Sequence, residues 1–213
     1  MGDGPEIYSI VSERVMRLQG AYLEGTSARA TALLAALRHA VGRQPGEVPE
    51  IWEITMEGLG PARGDAPTAM ERACHDALTL YALHQQSRSK AMHVVGYGLG
   101  RSVYRLAMED AGVHVQAVRR RFDAAATSAT YEELRHHLRG LIAQLRSRDI
   151  ATDYGALARD LLDAQWAEGL VTVRRRWARS YYREAASFRQ ESTPREGAAP
   201  SEIPDSEVPR EEQ

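Results

Sequence analysis

The chain has 213 residues, with 27 Lys or Arg against 29 Asp or Glu for a formal net charge of −2, and 43% of its residues are hydrophobic. That length suits one domain, or two small ones, with a buried core. No apolar run approaches the ~20 residues of a bilayer span, and no basic-then-apolar leader opens the sequence. The single cysteine, Cys74, excludes a disulfide framework and a multi-cysteine zinc site, so a cytoplasmic protein is expected.

Period 3.6 dominates along the chain and no hairpin stands out, so an all-α fold of about nine helices is expected. The first four are read near 6–20, 27–41, 48–58 and 68–86, the last opened by a capping box of Thr68 and Glu71. Gly- and Pro-rich stretches at 44–49 and 58–67 are loops. The polar and glycine-punctuated segment 87–98, SRSKAMHVVGYG, reads as a mobile connector between two packed helical lobes, 1–95 and 96–189. A stripe of Leu99, Val103, Leu106 and Ala107 marks a helix over 99–111, and Val115, Val118 and Phe122 mark one over 113–126. Thr130 and Glu133 open a helix lined by Leu134, Leu138, Leu141, Ile142 and Leu145. Asp153 N-caps a helix lined by Leu157, Leu161 and Leu162. The last helix, 170–188, carries Leu170, Val173, Trp177 and Tyr181.

Residues 190–213 hold seven acids, two arginines and four prolines, with almost no large apolar groups. Such a segment cannot bury enough surface to offset its ordering entropy, and a disordered acidic tail is expected there. It serves solubility, or screens a basic surface within the chain. The near-neutral total hides an asymmetry: residues 1–100 carry nine basic and eleven acidic groups, residues 101–189 sixteen and eleven. Of the 27 basic residues only Lys90 is a lysine. Arginine grips phosphate bidentately and stacks on bases, which lysine does not.

Signals of catalysis are weak. GYGLG at 96–100 lacks the G-x-G-x-x-G spacing and a βαβ setting, and is better read as a loop feeding a helix. His136 and His137 are neighbours and point ~100° apart on a helix. His75, His84 and His93 show no metal-ligand spacing, and are read as surface or partly buried residues. Cys74 faces away from His75 and reads as a core residue. No G-x-S-x-G, Walker loop or carboxylate constellation is present, so a non-enzyme without metal or cofactor is expected.

The arginines are more telling. At 100° per residue, Arg101 and Arg105 lie nearly opposite their helix's apolar stripe. Arg175, Arg176, Arg179 and Arg183 fall within an arc of ~100° away from Val173, Trp177 and Tyr181. Arg135, Arg139 and Arg146 share a line at the flank of the apolar face, Arg120 and Arg121 point outward, and Arg119 flanks the core. The triples ending in Phe122 and Trp177 contain no acid. Charged helix faces normally mix signs, so this set suggests a surface for nucleic-acid phosphates. Beside Tyr181 and Tyr182 few aromatics accompany it, so base stacking is limited.

These residues carry a resemblance. LHQQS at 83–87, GLGR at 98–101, VRRRF at 118–122, YEELRHHLRGLI at 131–142, DYGALARDL at 153–161 and RRRWARSYY at 174–182 occur in order. Together they resemble the small subunit (CasB family) of the type I-E CRISPR Cascade complex. The likeness is strongest over 77–183 and loose in the N-terminal third. It implies an all-helical, non-enzymatic subunit that associates with other Cascade subunits and with copies of itself. It further implies contacts to single-stranded DNA, chiefly the displaced non-target strand, and to the crRNA–target heteroduplex region, which hold the R-loop open. By motif, Arg101, Arg119 and Arg120 carry over most directly. Lys90 falls near a basic loop position of the family. Arg139 and the triple Arg174, Arg175 and Arg176 lie in segments where the family's basic residues vary in place. With Arg105, Arg121, Arg135 and Arg179 from the charge map, these form the expected nucleic-acid-binding set.

Three other readings compete. A helix-turn-helix regulator would concentrate its base on one recognition helix and dimerise over spaced half-sites, whereas here the arginines spread over several helices. A structural adaptor would use the same arginines on acidic protein partners. An enzyme with an unfamiliar helical site has no candidate residues.

Overall fold

The computed structural model describes residues 3–62, 64–109 and 115–192, and among these all extended regular structure is helical. α1 (Asp3–Leu23) buries Ile7, Val11, Val15 and Leu18, one face of a 3.6 period. α2 (Ala28–His39) starts where the Ser27 side chain accepts from the Ala30 amide, and buries Leu34 and Leu37. A 3-10 turn, Pro49–Ile51, leads into the short α3 (Trp52–Met56).

α4 (Ala69–Gln85) is the hub. Both halves of its capping box form, with Glu71 N to Thr68 Oγ1 at 3.1 Å and Thr68 N to Glu71 Oε2 at 2.6 Å. From Ala73 to Ala82 every residue is buried, so this helix is enclosed on all sides rather than amphipathic. α1, α2, α3, α7 and α8 all pack on it.

α5 (Leu99–Glu109), α6 (Val115–Thr127), α7 (Tyr131–Ser147), α8 (Tyr154–Asp163) and α9 (Ala167–Ser192) follow. The expected end at 111 and start at 113 fall within 110–114, outside the described residues. Thr130 caps α7 through the Glu133 amide (3.2 Å), but the Glu133 carboxylate turns to the Ala129 amide (2.8 Å) and completes only half of the expected box. Asp153 caps α8 through the Ala156 amide at 3.0 Å. α5 lies along α9, α6 bridges α5 and α7, and α8 inserts between α1 and α4. Packing therefore crosses the boundary expected at 95/96, and one apolar core runs from Ile7 to Trp177.

The connector expected to be mobile is instead tied to the core. Gln85 Nε2 donates to the carbonyls of Arg88 (3.0 Å) and Lys90 (2.8 Å), and its Oε1 accepts from Met92 N (3.1 Å). Gln19 brackets His93, accepting from its amide at 2.8 Å and donating to its carbonyl at 3.2 Å. A single parallel bridge joins His93 to Thr152. Buried Gln85 and half-buried Gln19 thus satisfy a backbone that the sequence alone leaves without partners.

The three isolated histidines are buried rather than superficial. His84 Nδ1 lies 2.9 Å from the Tyr154 hydroxyl, and His93 Nδ1 accepts from Tyr154 N at 3.0 Å. Burial pushes His75 down to about 4 and His84 to about 3, so both are neutral in the fold. Burial likewise pushes the Cys74 thiol up to about 11, against the pull of Arg14 beside it. Among the described residues no group of three His, Cys, Asp or Glu is placed to hold a metal, and no helix is long and apolar enough to cross a membrane. α9 runs to Ser192, three residues past the expected boundary at 189; the rest of the acidic tail lies outside the described residues.

Candidate nucleic-acid interface

Close packing of α5 on α9 organises the basic half. Gly100 makes this possible: a Cβ there would lie 2.1 Å from the Trp177 carbonyl oxygen and 2.8 Å from Tyr181 N. Its role is contact between two helices, not a phosphate loop. Phe122 of α6 stacks on Tyr181 (centroids 5.9 Å, planes 19° apart) and meets Trp177 at 6.0 Å, which fixes α6 on the same helix.

The predicted arginines divide by partner. Arg101 and Arg105 share one carboxylate: Glu184 Oε2 is 2.9 Å from Arg101 Nε, and Oε1 is 2.6 Å from Arg105 Nε. Both guanidinium groups also lie over the Tyr97 ring, at 3.9 and 5.2 Å from its centroid. Two cations against one anion leave the cluster positive, with the guanidinium planes held by the ring.

On α6, Arg119, Arg120 and Arg121 are exposed. Arg119 makes only a 3.9 Å approach to Asp123, and Arg120 bonds to its own helix at Gln116 O. Lys90 is exposed and stands 3.7 Å from Asp149, which also takes Arg88 at 3.1 Å.

Three members of the set face inward. Arg135, 12% exposed, is 2.8 Å from Asp76 and 2.8 Å from Glu132. Burial raises the Asp76 carboxyl to about 6, against the pull of Arg135 and the Tyr131 hydroxyl. Arg176 binds Asp160 at 3.2 Å and also the Asp163 carboxylate. Arg174 donates to the Ser128 carbonyl at 2.8 Å. These three sit at the edges of apolar stripes, where a long side chain reaches a buried acceptor as easily as solvent.

Arg121, Arg139, Arg175 and Arg179 are exposed and have no partner among the described residues. So is Arg183, which the expected set omitted although it lies on the same arc of α9. Arg159 on α8 was missed altogether. Nothing in its own helix marks it; it matters because α8 and α9 converge. Between them is a cleft of about 410 Å³ lined by Tyr8, Gly96, Gly98, Asp153, Arg159, Asp160, Arg176, Arg179, Ser180 and Arg183, among others. This basic cleft opens beside the Tyr97–Arg101–Arg105 cluster.

Comparison with known proteins agrees with this architecture. CasB from Thermobifida fusca has 34% identical sequence, with 83% of this chain and 97% of that one superposed at a TM-score of 0.70. A CRISPR-associated protein of the Cse2 family from Thermus thermophilus is 27% identical, over 85% of this chain and 99% of the other, at 0.60. A chain of a CRISPR RNA-guided surveillance complex, 23% identical, shares the fold at 0.68 over 88% of this chain and 99% of its own. No curated protein sequence gives a match. The model of the CRISPR-associated protein Cse2 matches residues 33–182, most of the helical body, and the chain belongs to that family.

Proposed function

We propose that this chain is the small subunit of a type I-E CRISPR Cascade complex and stabilises its R-loop without catalysis. It would grip phosphates of the displaced non-target strand and of the crRNA–target heteroduplex region, beside other Cascade subunits and further copies of itself. Family membership supports the setting. The observation that carries the mechanism is the set of exposed arginines with no carboxylate partner among the described residues: Arg121, Arg139, Arg175, Arg179 and Arg183. Ion-paired surface arginines add little to a new contact, because a phosphate must first displace the acid. Unpaired ones are free to make bidentate bonds to phosphate. Phosphate contacts carry no sequence information, which suits a strand whose sequence changes with every target. Exchange of a DNA duplex for a heteroduplex is nearly balanced, so a few such contacts on the displaced strand tip it.

The test is charge reversal at Arg121→Glu and Arg175→Glu, both exposed and without a partner among the described residues. Affinity for a scrambled single strand is expected to fall about tenfold or more at low salt. Native circular dichroism with unchanged binding would contradict the assignment.

A further inference from the structure

We propose that the cleft between α8 and α9 is a discrete phosphate site, which takes one phosphate group of an unpaired strand. The inference rests on the strand-binding reading above and deepens it.

The charge of the cleft calls for an anion. Four arginines line it (Arg159, Arg176, Arg179 and Arg183) against two carboxylates, Asp153 and Asp160. Both carboxylates are already engaged. Asp153 accepts from the amides of Ala156 (3.0 Å) and Gly96 (2.8 Å) and from the Tyr8 hydroxyl (3.2 Å). Asp160 accepts from Trp177 Nε1 at 2.6 Å and is ion-paired to Arg176 at 3.2 Å. Arg159 stands 3.9 Å from Asp160, and its buried Nε has no hydrogen-bond partner among the described residues. Arg179 and Arg183 have no partner among the described residues. A phosphate would supply the missing acceptors, and its two free oxygens match the arginine fork.

The walls are prearranged. Arg176 is fixed by Asp160 and Asp163, so the α9 wall is braced against α8 rather than against solvent. The N-terminal end of α5, through Leu99, also lines the cleft and adds its positive dipole end. Ser180 Oγ accepts from Arg101 N at 3.1 Å, which leaves its hydroxyl proton to donate. A volume of about 410 Å³ is on the scale of one nucleotide unit, not of a double helix. The site therefore favours a flexible strand, which can turn one phosphate inward.

The experiment titrates inorganic phosphate into the full chain by ³¹P NMR, with chloride at matched ionic strength as control. It compares Arg179→Ala/Arg183→Ala with Arg121→Ala/Arg139→Ala, all four residues being exposed and without a partner among the described residues, and measures strand affinity in parallel. Saturable phosphate binding is expected, weakened about tenfold in the first variant and unchanged in the second. Phosphate should compete with a scrambled single strand, whose salt slope should fall by about 0.7 in the first variant, the value for one phosphate contact. Absence of saturable binding, or equal loss in both variants, overturns the cleft site; the strand reading survives if Arg121→Ala/Arg139→Ala still weakens strand binding. Phosphate that binds without displacing the strand makes the cleft a free-anion site and overturns the proposal in that form. Phosphate binding with no strand affinity at all removes the reading on which it rests.

Discussion

Arg135 Nε lies 2.8 Å from Asp76 Oδ2, with both side chains almost fully enclosed. The Tyr131 hydroxyl donates to the same oxygen at 2.7 Å, so α7 is fastened to the central α4 by a buried three-residue network. Removal of one member of a buried pair leaves the other charged and alone. Arg135→Ala should therefore cost about 3 kcal/mol of folding stability. Arg135→Leu combined with Asp76→Asn should recover part of that. Urea denaturation measures both; a stability unchanged by Arg135→Ala would mean that the network contributes nothing.

The Gly100 contact predicts a second stability effect. Any Cβ at this position meets backbone of α9 rather than a yielding side chain. Gly100→Ala should push α5 away from Trp177 and Tyr181 at about 2–3 kcal/mol. It should also loosen the Arg101–Glu184 and Arg105–Glu184 pairs that depend on that contact. A thermal melt like that of the unmodified protein would contradict the close packing.

Buried His84 predicts a response to acid. Its folded-state value is about 3 against an ordinary 6.5, so over that interval the unfolded chain binds a proton that the fold refuses. Its contribution is full above about pH 6.5 and is lost as pH falls. Asp76 and Asp160, both raised to about 6 by burial, act with the opposite sign between about pH 6 and pH 4. The clean measurement is therefore a difference. Between pH 7 and pH 5, His84→Gln should lose about 2 kcal/mol less stability than the unmodified protein. Parallel pH curves would contradict a neutral buried ring.

Much of this was legible in the sequence, and the remainder fails for one physical reason. Helix positions follow from apolar periodicity and caps, which are local, and Thr68 and Asp153 act where such residues should. The outward direction of Arg120, Arg121, Arg175 and Arg179 follows from 100° steps alone. What a helical wheel cannot show is which distant acid meets a flanking arginine. Arg135 finds Asp76, Arg101 and Arg105 find Glu184, and Arg159 gains importance only because α8 meets α9. The connector at 87–98 is misleading for the same reason, since Gln19 and Gln85 reach it from other elements.

The acidic segment gives an electrostatic prediction that needs no structure for it. Residues 193–213 carry six acids and two arginines. Truncation after residue 192 should raise affinity for single strands about threefold or more at low salt, and the gain should vanish as salt screens it. Fluorescence anisotropy of the two chains side by side checks this, and equal affinities at every salt concentration would count against charge screening by the tail.

The central claim is that this surface holds nucleic acid by its phosphates and without regard to sequence. Anisotropy of the full chain with scrambled single-stranded DNA, across a salt series, tests it most directly. The account predicts the same affinity for unrelated sequences, with a log–log salt slope of about −0.7 for each phosphate contacted. Absence of binding at low salt, or strong preference for one duplex sequence with a shallow slope, would contradict it.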